Sequence, residues 1–176
     1  MIKKVVILGP ESTGKSTLCE QLSVHYKTRW VKEFAREYLL TNGTDYSLSD
    51  LTAIAKGQIG IEQELLESIP ANSNVPVFID TDMYVLKVWS EFVFNACDHF
   101  ILTSIVNRSY DLYLLCNTDL PWEKDILREY PDLASREKLF HYYKDAMVNQ
   151  HVPWTIISGD YEQRLQKAIE AVNSLY

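Results

Sequence analysis

A chain of 176 residues, 47% hydrophobic and 23% charged, has the size of one domain and is long enough to bury a sizeable core. Its formal net charge of −7 argues against a nucleic-acid surface, which is built from clustered Lys and Arg, and no apolar run approaches the ~20 residues needed to span a membrane. Cys19, Cys97 and Cys116 lie far apart, as core thiols in a reducing cytoplasm would, and neither they nor the histidines show metal-ligand spacing.

Val5-Val6-Ile7-Leu8 is a continuous aliphatic run, as in a strand buried on both faces. It leads into Gly9-Pro10-Glu11-Ser12-Thr13-Gly14-Lys15-Ser16-Thr17, which fits the phosphate-cradling pattern ending in Gly-Lys-Ser/Thr. Leu18, Leu22 and Tyr26 then recur at helical spacing, which places the motif between a strand and a helix running from about Lys15 to Tyr26. Gly9 and Gly14 permit the tight turn that aims successive N–H groups and the helix N-terminus at phosphate oxygens. Ser12, Thr13, Gly14 and Thr17 belong to that cradle, while Lys15 is expected on the β- and γ-phosphates and Ser16 on Mg²⁺. The absence of an Asn-Lys-x-Asp motif favours ATP over GTP as the nucleotide.

A short strand at Trp30-Val31 is followed by a helix carrying Phe34, Tyr38 and Leu39. Glu33 and Arg36, three apart, share one face of that helix, as a surface ion pair or as a substrate-binding pair at the strand's C-terminal edge. Ser47 or Ser49 caps a long helix that reads to about Ser68, and residues 70–76 form a loop. Val77-Phe78-Ile79 is a second buried strand that delivers Asp80-Thr81-Asp82 to its end, and Met83 to Phe94 is helical. After a helix over 98–106 and a core strand over 110–116, the polar span from residue 118 to 136 fits a mobile lid whose Arg128 and Arg136 approach the phosphates on closure. A helix from Arg136 to Val148, the strand Trp154–Ile157 and a helix from Tyr161 to Asn173 complete the chain. The loop Ser158-Gly159-Asp160, with Arg164, is expected to border the adenine. Alternating strands and helices predict a single domain over residues 1–176, an α/β fold with a parallel five-stranded sheet flanked by helices on both faces.

The P-loop together with Glu33-Phe34-Ala35-Arg36-Glu37-Tyr38, Phe78-Ile79-Asp80-Thr81-Asp82, Tyr110-Asp111-Leu112-Tyr113-Leu114-Leu115 and Asp119-Leu120-Pro121-Trp122 resembles the ribosylnicotinamide kinase domain of NadR-type proteins. The resemblance spans nearly the whole chain and implies a three-layer P-loop NTPase and kinase fold and ATP-dependent phosphorylation of the 5′-hydroxyl of nicotinamide riboside, giving nicotinamide mononucleotide in NAD salvage. It also implies that Trp122 and the region around Asp125 and Arg128 belong to the substrate pocket and lid. Ile126 stands where the family pattern has Gly, and Val85 and Leu86 stand where it has hydroxyl residues. The adenylyltransferase and DNA-binding activities that NadR-type proteins carry upstream are not expected of a chain that opens at Met1. A cationic pyridinium would be attracted to an aromatic face such as Trp122, Trp89 or Tyr84 and to nearby carboxylates.

Asp80 directly follows the buried strand and is assigned to the Ser16-bound Mg²⁺. Asp82, two residues further on, is expected at the acceptor hydroxyl as orienting group or general base, with Glu33 in reserve. The expected partner is a small-molecule nucleoside. The competing readings are a kinase for another nucleoside and a regulatory ATP-binding module.

Overall fold

The computed structural model describes residues 1–70 and 72–176; the loop expected over 70–76 includes Ala71, which lies outside the described residues. The strands are β1 (Lys3–Leu8), β2 (Trp30–Val31), β3 (Pro76–Asp80), β4 (Leu112–Cys116) and β5 (Trp154–Ile157). They form the expected five-stranded sheet, parallel throughout, in the order β2-β3-β1-β4-β5. Because β1 is central, with the chain building β2 and β3 on one side of it and then crossing to β4 and β5 on the other, the crevice beyond its C-terminal end is where a ligand site belongs.

Burial on both faces explains the unbroken aliphatic runs, since successive residues point to opposite sides of the sheet. Val5, Ile7, Phe78, Leu112 and Leu114 pack on one face against α1 (Lys15–His25) and α7 (Tyr161–Asn173). Val6, Leu8, Ile79, Tyr113 and Leu115 pack on the other against α4 (Met83–Phe94) and α6 (Leu133–Val148). A third cluster joins α2 (Phe34–Asn42), α3 (Leu48–Glu67) and α5 (His99–Asn107) to α4 through Leu39, Leu51, Ile54, Leu86 and Ile101. No described helix is long and apolar enough to cross a membrane.

Two boundaries differ from the expected ones for identifiable reasons. Helix α6 begins at Leu133 rather than Arg136, because the Asp132 carboxylate accepts the Ser135 N–H at 2.8 Å and caps it. The segment expected as a lid is correspondingly shorter, and Arg136 sits inside the helix. Strand β4 begins at Leu112 rather than Tyr110: the Asp111 carboxylate is occupied by the Lys4 N–H at 2.8 Å and the Lys3 ammonium at 3.0 Å.

Candidate active site

The loop between β1 and α1 is shaped by contacts that only particular residues allow. Gly9 has φ 139°, and a Cβ there would lie 2.7 Å from the Cys116 carbonyl oxygen, so no larger residue fits. Gly14 has φ 74° and Ser12 φ 54°, which turn consecutive backbone units inward to form the cradle. Thr13 Oγ1 donates to the Pro10 carbonyl at 2.7 Å, and Lys15 Nζ donates to the same oxygen at 2.9 Å. Two buried arginines hold this loop from behind. Arg136 Nη2 donates to the carbonyls of Ser12 at 3.1 Å and Leu120 at 3.2 Å. Arg164 Nη1 donates to the Thr13 carbonyl at 2.9 Å, and its other nitrogens bind Gly159 and Asn117 carbonyls and the Asp119 carboxylate. Both were expected at the ligand; at 3% exposure each, they are instead braces of the cradle.

Ser16 Oγ donates to Asp80 Oδ2 at 2.5 Å, and Oδ1 of the same carboxylate is buried with no hydrogen-bond partner. Burial, and after it the nearby charge of Glu33, pushes the Asp80 carboxyl up to about 7, against the pull of Lys15 and the Ser16 hydrogen bond. A hydroxyl beside an unsatisfied carboxylate oxygen is a donor set that suits Mg²⁺, which takes one or two such ligands and completes its shell with water and phosphate oxygens.

Glu33 lies at the junction of β2 and α2. Its Oε1 accepts the Thr81 hydroxyl at 3.4 Å. The junction is tied to β3 by Gln58, which is 1% exposed: its Oε1 accepts the Phe34 N–H at 2.8 Å, and its Nε2 donates to the carbonyls of Lys32 at 3.2 Å and Asp80 at 3.4 Å. Sequence reasoning missed Gln58. The signal was a polar residue at the helical register of the apolar Ile54 and Ala55, where only a satisfied side chain survives burial.

Asp82, expected at the acceptor, does not line the cavity beside the cradle. It is 2% exposed and caps α4, accepting the N–H groups of Tyr84 at 3.0 Å and Val85 at 3.4 Å and the Tyr113 hydroxyl at 3.2 Å. Tyr84 follows it away from the site and packs edge-on against Tyr113. Burial pushes the Asp82 carboxyl up to about 7. A carboxyl whose native pKa is raised contributes stability that is complete below its unfolded value near 3.8 and is lost as pH rises through about 7. Asp82→Asn, which retains a capping oxygen, is therefore expected to flatten the decline in denaturation midpoint between pH 5 and pH 8, while turnover stays within about tenfold of wild type. A loss of a hundredfold would return the acceptor role to Asp82.

The segment expected to act as a lid is folded onto the cradle. Glu11 accepts the backbone N–H groups of Glu129 at 2.9 Å and Tyr130 at 2.6 Å and the Trp122 indole at 3.4 Å, and Ser12 Oγ accepts the Glu123 N–H at 2.9 Å. Trp122 is thus turned to the lid's anchor, and Arg128 Nη1 donates to the Glu123 carbonyl at 2.5 Å. Beneath the lid is a cavity of about 230 Å³ with residues Gly9–Thr17 at one end. Its other walls are Glu33 and Arg36 from α2, the aromatic rings of Trp89, Phe92, Tyr130 and Tyr143, and Asp125, Arg128 and Glu129 from the lid. The expected residues Lys15, Ser16, Glu33, Arg36, Trp89, Asp125 and Arg128 therefore meet in one space. Asp82, Tyr84, Trp122 and Arg136 do not line it, and neither does the exposed end of β5, where Asp160 caps α7 and the Gly159 N–H donates to Asp119 at 2.6 Å.

The chain is similar to the trifunctional NAD biosynthesis/regulator protein NadR of Escherichia coli (strain K12), at 26% identity over 180 residues covering 99% of this chain and 43% of that protein. Its fold is similar to the solved NadR protein in complex with NR, with a TM-score of 0.78 at 24% identity, covering 98% of this chain and 49% of that one. The NadR protein in complex with NAD and AMP-PNP gives a TM-score of 0.72 at 23% identity, with the same coverage of 98% and 49%. The chain spans less than half the length of these relatives, at 43% and 49%. With residues 4–164 matching the family described as AAA domain, and a phosphate cradle at the edge of a parallel sheet, the chain belongs to that family.

Proposed function

We infer that the chain is a kinase that transfers the γ-phosphoryl group of ATP to the 5′-hydroxyl of a nucleoside, with nicotinamide riboside as the leading acceptor in a salvage route to NAD. The observation that carries this reading is the meeting, in one cavity, of the phosphate cradle, the Glu33 carboxylate and a wall of aromatic rings. A slow regulatory ATPase has no need of an aromatic compartment beside its phosphates. The similar NadR protein binds NR in one solved structure and NAD with AMP-PNP in another, which supports both halves of the reading.

In this mechanism Glu33, oriented by the Thr81 hydroxyl, accepts the proton of the acceptor hydroxyl. The acceptor oxygen forms its bond to the γ-phosphorus as the bond to the bridging oxygen breaks, and ADP leaves with that oxygen. Lys15 and Arg128, both on the cavity wall, offset the charge on the transferring group. Ser16 and Asp80 would hold Mg²⁺, which when bound neutralises phosphate charge. Trp89, Phe92, Tyr130 and Tyr143 line the cavity, and the negative face of an aromatic ring there would attract a pyridinium cation. On the nucleotide side, the loop around Gly159 and Asp160 is assigned to the adenine. The free thiols of Cys19, Cys97 and Cys116 fit a cytoplasmic setting.

A panel of nucleosides incubated with ATP and Mg²⁺, read by mass spectrometry, is expected to yield a 5′-monophosphate from nicotinamide riboside above all others. ADP release indifferent to every nucleoside would replace this reading with an ATPase one.

A further inference from the structure

Arg36 stands one turn beyond Glu33 on α2, and both line the acceptor end of the cavity. An arginine in such a place is an anchor for anions, because its planar fork matches a phosphate as well as a carboxylate. Here the fork is filled: Nη1 donates to Asp125 Oδ1 at 3.2 Å and Nη2 to Oδ2 at 3.0 Å. Asp125 is itself fixed, since its Oδ1 also accepts the Leu127 N–H at 3.0 Å. The arginine beside it holds the Asp125 carboxyl below the usual range, so the pair stays ionised through neutral pH.

We propose that Asp125 is a specificity-determining residue that masks Arg36, so that the acceptor end takes unphosphorylated nucleosides and turns away nucleoside monophosphates. This rests on the reading that the acceptor binds beside Glu33. The charge arithmetic supports the mask. Arg36 is cancelled by Asp125, and of the remaining charges near it the two carboxylates of Glu33 and Glu129 outnumber the cation Arg128, whose guanidinium donates to the Glu123 carbonyl, so the acceptor end stays negative. A 5′-phosphate dianion brought next to Glu33 would meet no free cation of α2 and a carboxylate at hydrogen-bond range of the one guanidinium there. A purely structural role explains the pair poorly, because with Arg36 52% exposed it adds little to stability.

The test fills the nucleotide site of the full chain with AMP-PNP and Mg²⁺ and titrates nicotinamide riboside and its 5′-monophosphate by calorimetry. In Asp125→Ala, the ratio of monophosphate to riboside affinity is expected to rise by about tenfold or more, and Asp125→Asn, which keeps the shape without the charge, is expected to follow it. In Asp125→Ala combined with Arg36→Met the gain is expected to vanish, since it acts through the freed fork. An unchanged ratio in Asp125→Ala, or a gain that survives loss of Arg36, overturns the proposal. If neither ligand binds the wild type, the riboside reading fails by itself. The mask is then read on adenosine, cytidine and thymidine against their monophosphates, where no shift in any pair overturns it.

Discussion

Replacing Glu33 by Gln is expected to lower kcat by about 10²- to 10⁴-fold, the usual span for loss of a positioned general base, while the nucleotide still binds. Glu33 is the carboxylate that both reaches the cavity and lies close enough to Asp80 to raise its pKa. That second fact gives the prediction a signature beyond lost rate. Neutralising Glu33 removes one cause of the raised Asp80 value, so Asp80 ionises more readily near neutral pH. Mg²⁺-dependent ATP binding should therefore be equal or tighter in Glu33→Gln, measured by titration with AMP-PNP, even as turnover collapses. A variant that keeps full turnover, or one whose loss is wholly in nucleotide affinity, would remove Glu33 from the acceptor role.

The choice between Glu33 and Asp82 shows where the sequence is readable and where it is not. Buried parallel strands announce themselves as unbroken apolar runs, so Val5–Leu8 and Val77–Ile79 were legible, and with them the cradle and the placement of Asp80 at the end of β3. Distance along the chain then suggested that Asp82 lies further out than Asp80. The backbone reverses that expectation at Thr81, whose φ of 78° turns the chain so that Asp82 goes inward to the first turn of α4. A positive φ at a threonine leaves no mark in a sequence, since Gly or Asn would be the residues to signal it.

The arginines were opaque for another reason. A charged residue on a helix reads as solvated unless its partners are known, and the partners of Arg136 and Arg164 are carbonyls, with the Asp119 carboxylate, brought in from up to 151 residues away. The lid anchor was hidden in the same way, because Glu11 bonds backbone N–H groups that lie 118 and 119 residues along the chain. What periodicity reveals is which face of an element is apolar; what a buried polar group touches depends on topology.

Arg164→Met is expected to be the most destabilising substitution of those considered, by about 3–5 kcal/mol, the range found when one partner of a buried polar cluster is removed. The side chain is 3% exposed, and Met fills its volume without replacing any donor. The carbonyls of Thr13, Asn117 and Gly159 lose their donor; a buried acceptor left alone, as at Thr13, carries a desolvation penalty of about 1–3 kcal/mol, and the part-buried Asn117 and Gly159 carry a smaller one. The Asp119 carboxylate contributes less, because at 35% exposure water can replace its partner. For a domain of this size each kcal/mol moves Tm by roughly 2–4 °C, so calorimetry should show a fall of about 10 °C. Arg164→Lys should recover little, since one ammonium cannot span acceptors from the cradle, the end of β4 and the end of β5. Because Thr13 belongs to the cradle, KM for ATP should rise alongside the lost stability, whereas an adenine-contacting arginine would raise KM for ATP with Tm unchanged. That second pattern, KM without Tm, would return Arg164 to the nucleotide's edge.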